Sequence, residues 1–205
     1  MGILSGAMSA RRFSIEGEFP PDFRERWRAA LNEYAFVDSP VEQGKEEREG
    51  WVQIHNLLDT SFDDFNRWLY NEVALFALRV DKKTLPAKLF RATVQKEVKE
   101  WCQENGVERC PKTQKDEIRD RIESQWLKRC LPRVTITEMC LHMTDRYVLI
   151  HSQSEGTLER IRKRFFATFG LKLIPWSPME WLDSVELVEQ LAAEPPSRVG
   201  RVEHE

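Results

Sequence analysis

The stretch VTITEMCLHMTDRYVLIHS, residues 134–152, determines the fold class that the sequence predicts. Val134–Met143 and Arg146–Ser152 are rich in apolar and β-branched residues, and the short turn Thr144-Asp145 separates them. This pattern predicts a β-hairpin. Because two strands joined by a short turn pair antiparallel, it argues against a doubly wound nucleotide-binding fold.

Further elements on both sides of this hairpin complete the predicted order. Strands are expected at Ser9–Glu18, Val73–Val80 and Leu171–Pro175, and helices after Pro20-Pro21, over about 86–105, 113–130, 155–169 and 179–193. Residues 38–50 are polar and contain Gly and Pro, which favours a loop. Thr113 and Asp116 have the spacing of a capping box, and Gly170 is placed to end a helix.

This order predicts an α+β protein with a largely antiparallel sheet flanked by helices. We expect one domain over residues 7–178, within which a basic helical hairpin over about 86–130 projects from the sheet. An amphipathic helix over 179–193 and a disordered tail over 194–205 are expected to follow.

Composition restricts the class of protein. Hydrophobic residues make up 41% of the 205 residues, so the chain can bury a core. No apolar run approaches the roughly 18–20 residues of a membrane span, and the N-terminus lacks the pattern of a secretory signal. The four cysteines show neither a zinc-ligand spacing nor a disulfide framework, so we expect reduced thiols in the cytoplasm and no metal.

Charge is distributed unevenly along the chain, although the net charge is only −3. Residues 1–78 carry 8 basic and 14 acidic side chains, whereas residues 79–133 carry 15 basic and 9 acidic ones. Residues 157–172 carry 5 basic and 1 acidic. A basic middle segment is typical of a nucleic-acid-binding surface, but a solvated helix face produces the same asymmetry.

The candidate DNA contacts are basic residues at the ends of, or along, the two central helices. They are Arg133, Lys112, Lys115, Arg119, Arg129, Lys128, Lys82, Lys83 and Lys88. Helical spacing places residues 112, 115, 119 and 129 near one face, where they could neutralise phosphates without reading sequence. The interleaved acids are expected to form i,i+4 pairs on the flanks, so this pattern alone also fits a salt-bridged helix.

The sequence argues against an enzyme. It contains neither a Gly-rich phosphate loop nor a nucleophile elbow, and we expect no cofactor. Asp63-Asp64 and the pair Glu117 and Asp120 could bind a metal for phosphodiester cleavage, and His142 and His151 could face each other across the hairpin. Nuclease sites need carboxylates that converge from several elements, so a nuclease is the weakest alternative.

Several short motifs follow one another between Val80 and Pro175. A strand ends in Lys82-Lys-Thr-Leu-Pro86, a charged helix leads to Lys112-Thr-Gln-Lys-Asp-Glu-Ile118, and Cys130-Leu-Pro-Arg133 leads into the next strand. A hairpin, an amphipathic helix and a strand ending in Leu-Ile-Pro175 follow. In this order the sequence resembles the recombination-associated RdgC family over most of residues 7–178.

The resemblance implies a cytoplasmic, nucleoid-associated homodimer that binds double-stranded DNA with little sequence preference and restrains RecA-promoted recombination. In the family, dimers close into a ring with a positively charged hole, and the recombinase filament would be affected indirectly. Arg133 matches the family's Leu-Pro-Arg motif and ranks first for DNA contact, and Lys112 and Lys115 match the basic entry to the second helix.

Two departures from the family keep a second interpretation open. Thr135 stands where the family usually has an aromatic residue, and the family's long C-terminal region has no counterpart beyond about residue 178. A protein-interaction module that retains the fold without DNA binding would also fit the acidic ends of the chain.

Overall fold

The computed structural model describes residues 2–4, 6, 8–38, 47–177 and 185–193. Its strands are Arg11–Glu16 (β1), Glu47–Val52 (β2), Leu69–Tyr70 (β3), Val73–Lys82 (β4), Arg133–His142 (β5), Tyr147–Ile150 (β6) and Lys172–Pro175 (β7). Its helices are Phe23–Glu33 (α1), Ala87–Glu104 (α2), Lys112–Arg129 (α3), Glu155–Phe169 (α4) and Val185–Ala193 (α5).

The strands form one seven-stranded sheet in the order β2-β4-β5-β6-β1-β7, with β3 paired to the start of β4. Every strand pair is antiparallel. The longest ladder joins β4 to β5 and runs from the pair Val73 and His142 to the pair Lys82 and Arg133. The predicted α+β class and antiparallel sheet are therefore confirmed, as is the hairpin formed by β5 and β6.

One face of the sheet carries the core. Successive residues of a strand point to opposite faces, and Phe76, Leu141 and Ile150 belong to the buried set. Trp27 of α1 and Phe165 of α4 join the same cluster, because these two helices cover that face of the sheet. Burying each such aromatic or branched side chain stabilises the fold by roughly 1.5–3 kcal/mol before entropy is counted.

The loop that the sequence predicts over residues 38–50 is wrong at its C-terminal end, where strand β2 begins. Residues 47–50 are the first four residues of a strand, and residues 39–46 lie outside the described part of the chain. Arg48 of this strand is buried, and its guanidinium donates a hydrogen bond of 3.2 Å to the carboxylate of Asp81. Arg48 and its neighbours Glu47 and Glu49 are thus paired within the fold.

Gly50 and Trp51 connect β2 to the rest of the core. A Cβ on Gly50 would lie 2.4 Å from backbone atoms of Phe36, so only glycine fits there. The next residue, Trp51, is completely buried, and its indole Nε1 donates a hydrogen bond of 2.8 Å to Oγ1 of Thr168 on α4. This bond satisfies the polar atom of a fully buried indole.

The helix termini show one wrong and one correct prediction. The capping box predicted at Thr113 is wrong, because α3 begins one residue earlier and has Pro111 at its N-cap without a side-chain hydrogen bond. Gly170 ends α4 in the left-handed conformation with φ of 68°, as predicted. Glycine adopts this conformation without the steric cost that a side chain would bring.

Helices α2 and α3 pack against each other as an antiparallel pair between β4 and β5. The rings of Phe90 and Trp126 lie 5.8 Å apart near one end, and Arg121 forms an ion pair with Glu97 further along. The paired helices match the predicted hairpin, whereas its projection from the sheet stays a prediction.

The predicted C-terminal elements are described only in part. Helix α5 covers Val185–Ala193, and the rest of the predicted 179–193 helix and the predicted 194–205 tail lie outside the described residues. Among the helices that the structure describes, none is both long and apolar enough to cross a bilayer.

Candidate nucleic-acid interface

Two of the predicted contacts lie at the end of the sheet from which the helical pair departs. Lys82 is the last residue of β4, Arg133 is the first residue of β5, and the two are register partners. Side chains directly opposite each other on neighbouring strands point to the same face. Both residues are exposed, and Nζ of Lys82 lies 3.3 Å from a carboxylate oxygen of Glu47.

Arg119 lines a groove of about 620 Å³ between α2 and α3, together with Lys82 and Lys83 at its sheet end. Lys83 is half-buried, and its ammonium donates a hydrogen bond of 2.7 Å to the carbonyl of Leu127. Lys128 lies beside this groove, in a smaller depression of about 290 Å³ that Lys83 also lines. The fold therefore brings four predicted residues together around the base of the helical pair.

The remaining predicted residues extend the set along the helices. Lys112 and Lys115 are exposed at the start of α3, and Arg129 is exposed at its end. At 1.5 Å per residue, Lys112 and Arg129 lie about 25 Å apart along the axis. Lys88 is exposed on the first turn of α2. The nine residues thus form an elongated band and not a compact patch.

Most of this band carries charge that no described residue of the chain neutralises through an ion pair. Lys82 and Lys83 have the protein partners given above, whereas the other seven predicted residues form no ion pair with any described residue. The expected i,i+4 pairing of the α3 acids is wrong. In the described part of α3, the ion pair that forms joins Arg121 to Glu97 on the neighbouring helix.

In the second basic segment, on α4, two arginines have acidic partners within the fold. Arg160 forms ion pairs with Glu47 and Glu49 of β2, and Arg164 donates a hydrogen bond of 2.6 Å to Glu49. The hydrogen bond from Arg160 lowers the pKa of Glu47 below its usual value, and the same bond raises the pKa of Arg160. These cations attach α4 to the sheet, so they are poorly placed to bind an external anion.

One further cation belongs to the band, although it was not among the predicted contacts. Arg91 of α2 is exposed, lines the same groove as Arg119 and forms no ion pair with described residues. Its spacing of three from Lys88 places both on one side of α2. That spacing is the sequence signal that could have included it.

Of the two acidic pairs suggested as a metal site, Asp63 and Asp64 have structural roles. Asp63 accepts hydrogen bonds from the Asn32 amide at 3.0 Å and from the Ser61 hydroxyl at 3.1 Å. Asp64 accepts a hydrogen bond of 3.0 Å from the backbone N–H of Asn66 and so caps a short 3₁₀ turn. Both carboxylates therefore stabilise the loop in which they lie.

The two histidines do not face each other across the hairpin. His142 pairs in register with Tyr147 and stacks on its ring, with centroids 5.1 Å apart, whereas the backbone of His151 bonds to Glu138. Within the part of the chain that the structure describes, no three His, Cys, Asp or Glu residues converge in a way that could bind a metal ion.

Comparison with known proteins identifies one family. A family model described as "Putative exonuclease, RdgC" matches residues 10–189, which is most of the 205-residue chain. A search of curated proteins found no match.

Proposed function

The chain belongs to the RdgC family, and we propose on that premise that it binds double-stranded DNA without sequence preference and thereby modulates homologous recombination. The observation that carries the proposal is the band of exposed cations on α2, α3 and the adjoining sheet end. Seven of its predicted members form no ion pair with described residues.

The length of the band suits the backbone of a duplex. Phosphates on one strand are spaced by about 3.4 Å along the axis, so the roughly 25 Å between Lys112 and Arg129 spans about seven of them. Contacts to phosphates position a protein on DNA but carry no sequence information. Arg133 supplies a planar fork that can donate two parallel hydrogen bonds to one phosphate, whereas the lysines act as point charges.

The proposed protein is not an enzyme. The family description mentions an exonuclease, but Asp63 and Asp64 brace or cap their own loop, and Glu117 and Asp120 on α3 belong to no group of three potential metal ligands among the described residues. A cytoplasmic, nucleoid-associated homodimer completes the proposal, and it would affect a recombinase filament indirectly, through the DNA that both occupy.

Fluorescence anisotropy with labelled duplexes of unrelated sequence tests the proposal. We expect equal affinity for the different duplexes and a steep loss of affinity as the salt concentration rises, because phosphate contacts release counterions. Absence of binding at low salt would refute the proposal and favour the protein-interaction module.

A second assay separates binding from nuclease activity. End-labelled linear duplex is incubated with the protein in Mg²⁺ or Mn²⁺ and separated on a denaturing gel, and we expect it to stay intact. Shortened products that form only with the metal would contradict the non-enzymatic assignment.

A further inference from the structure

The groove between α2 and α3 has an apolar floor that a DNA backbone does not fill. Leu85, Phe90, Val94 and Leu127 line it, and all four are half-buried. No residue among the 18 of α2 is fully buried. A helical pair that leaves such a groove open has one apolar side without a packing partner, and a third helix is the element that fills it.

The rim of this groove is basic. Lys82, Lys83, Arg91 and Arg119 border it, against a single acid, Glu123. One arginine lies on each helix, so both sides of the groove carry a cation that forms no ion pair with described residues. The groove therefore selects an occupant that combines an apolar face with acidic side chains.

Helix α5 of this chain has that character. Its sequence, VELVEQLAA, contains two acids and no basic residue. Val185 is 75% exposed and Leu187 is 47% exposed. A helix of nine residues is too short to be stable in water by itself, so such a helix depends on packing against a partner surface.

Length and charge match between the two surfaces. The groove follows α2 from Ala87 to Gln95, about 12 Å, and α5 is about 13 Å long. No residue of α5 lines the groove within one protomer. We propose that the groove of each protomer binds α5 of a second copy, with Glu186 and Glu189 against Arg91 and Arg119. A reciprocal exchange fills both grooves and closes a twofold dimer.

The proposal rests on the self-association part of the proposed function and not on DNA binding, so its test contains no DNA. Multi-angle light scattering at several protein concentrations should give twice the monomer mass of 24.2 kDa. The groove variant R91E/R119E and the helix variant E186R/E189R should each raise the dimer dissociation constant at least roughly tenfold, because several exposed attractions become repulsions.

Two further proteins make this experiment decisive. The variant that combines all four substitutions should regain the wild-type dissociation constant, because a now acidic groove meets a now basic helix. K99E/R109E is the matched control, since it reverses two exposed charges outside the groove and should dimerise like the wild type. The proposal would be overturned if the wild type were monomeric at all concentrations, or if either pair of reversals left the dimer dissociation constant unchanged. It would also be overturned if the variant with all four substitutions dimerised as weakly as the double variants.

Discussion

Neutralising three cations of the DNA-binding band should change the salt dependence of binding by a defined amount. Arg119 is left out of the count because the proposed dimer pairs it with α5. If the other six predicted cations that form no ion pair with described residues contact phosphates, the logarithm of the binding constant should fall with the logarithm of salt concentration with a slope of about −5.4. The variant K112Q/K115Q/R133Q removes three contacts, so its slope should be about −2.7. Between about 50 and 200 mM salt, the wild type should lose roughly 2,000-fold in affinity and the variant roughly 40-fold.

Anisotropy titrations at four or more salt concentrations measure both slopes. The matched control is R11Q/K163Q/K172Q, which removes the same total charge from cations that already have acidic partners. Its slope should equal that of the wild type. The reasoning is refuted if the first variant keeps the wild-type slope, or if the control loses as much slope as the first variant, because net charge alone would then explain the binding.

Three further predictions concern the stability of the fold. G50A should lower the free energy of unfolding by roughly 3 kcal/mol in urea titrations, because the added methyl collides with the backbone of Phe36, and a change below 1 kcal/mol would contradict this. D81A should cost about 3 kcal/mol in the same assay, since it leaves the largely buried Arg79 without its carboxylate and Arg48 with Asp38 alone, and a neutral effect would refute that role. The Arg160 bond lowers the pKa of Glu47, so the stabilisation from this bond should be complete above the ordinary pKa of 4.5 and decrease as the pH falls below it. The difference in free energy of unfolding between the wild type and E47Q should therefore shrink at low pH, and a difference that stays constant with pH would contradict this.

The order of most elements could be predicted because their patterns are local. The apolar run of β4, the hairpin and the glycine that ends α4 each depend on a few adjacent residues. Strand β2 was missed because its charged residues resemble a loop, and what keeps them in a strand is distant in sequence. Arg48 pairs with Asp81, and Glu47 pairs with Arg160.

Partners that are distant in sequence also explain why the candidate site could be predicted only in part. Sequence reasoning located the basic residues, but it could not show which of them have acidic partners within the fold. Arg160 and Arg164 of α4 are paired with a strand more than 100 residues away, whereas the cations of α3 lack the local i,i+4 partners that their spacing predicts. The net charge of a segment therefore overestimates the positive charge that α4 can offer to a ligand and underestimates the positive charge that α3 can offer.

The position of the helical pair also affects how the sheet closes. Strands β4 and β5 are direct neighbours, yet residues 83–132 separate them along the chain. Closing a flexible loop of that length costs roughly 3.5 kcal/mol of chain entropy, whereas a loop of about seven free residues costs roughly 1.7 kcal/mol. Once α2 and α3 have folded against each other, only the short connections to the strands remain to be ordered. The helices thus favour formation of the longest ladder by roughly 2 kcal/mol through chain entropy.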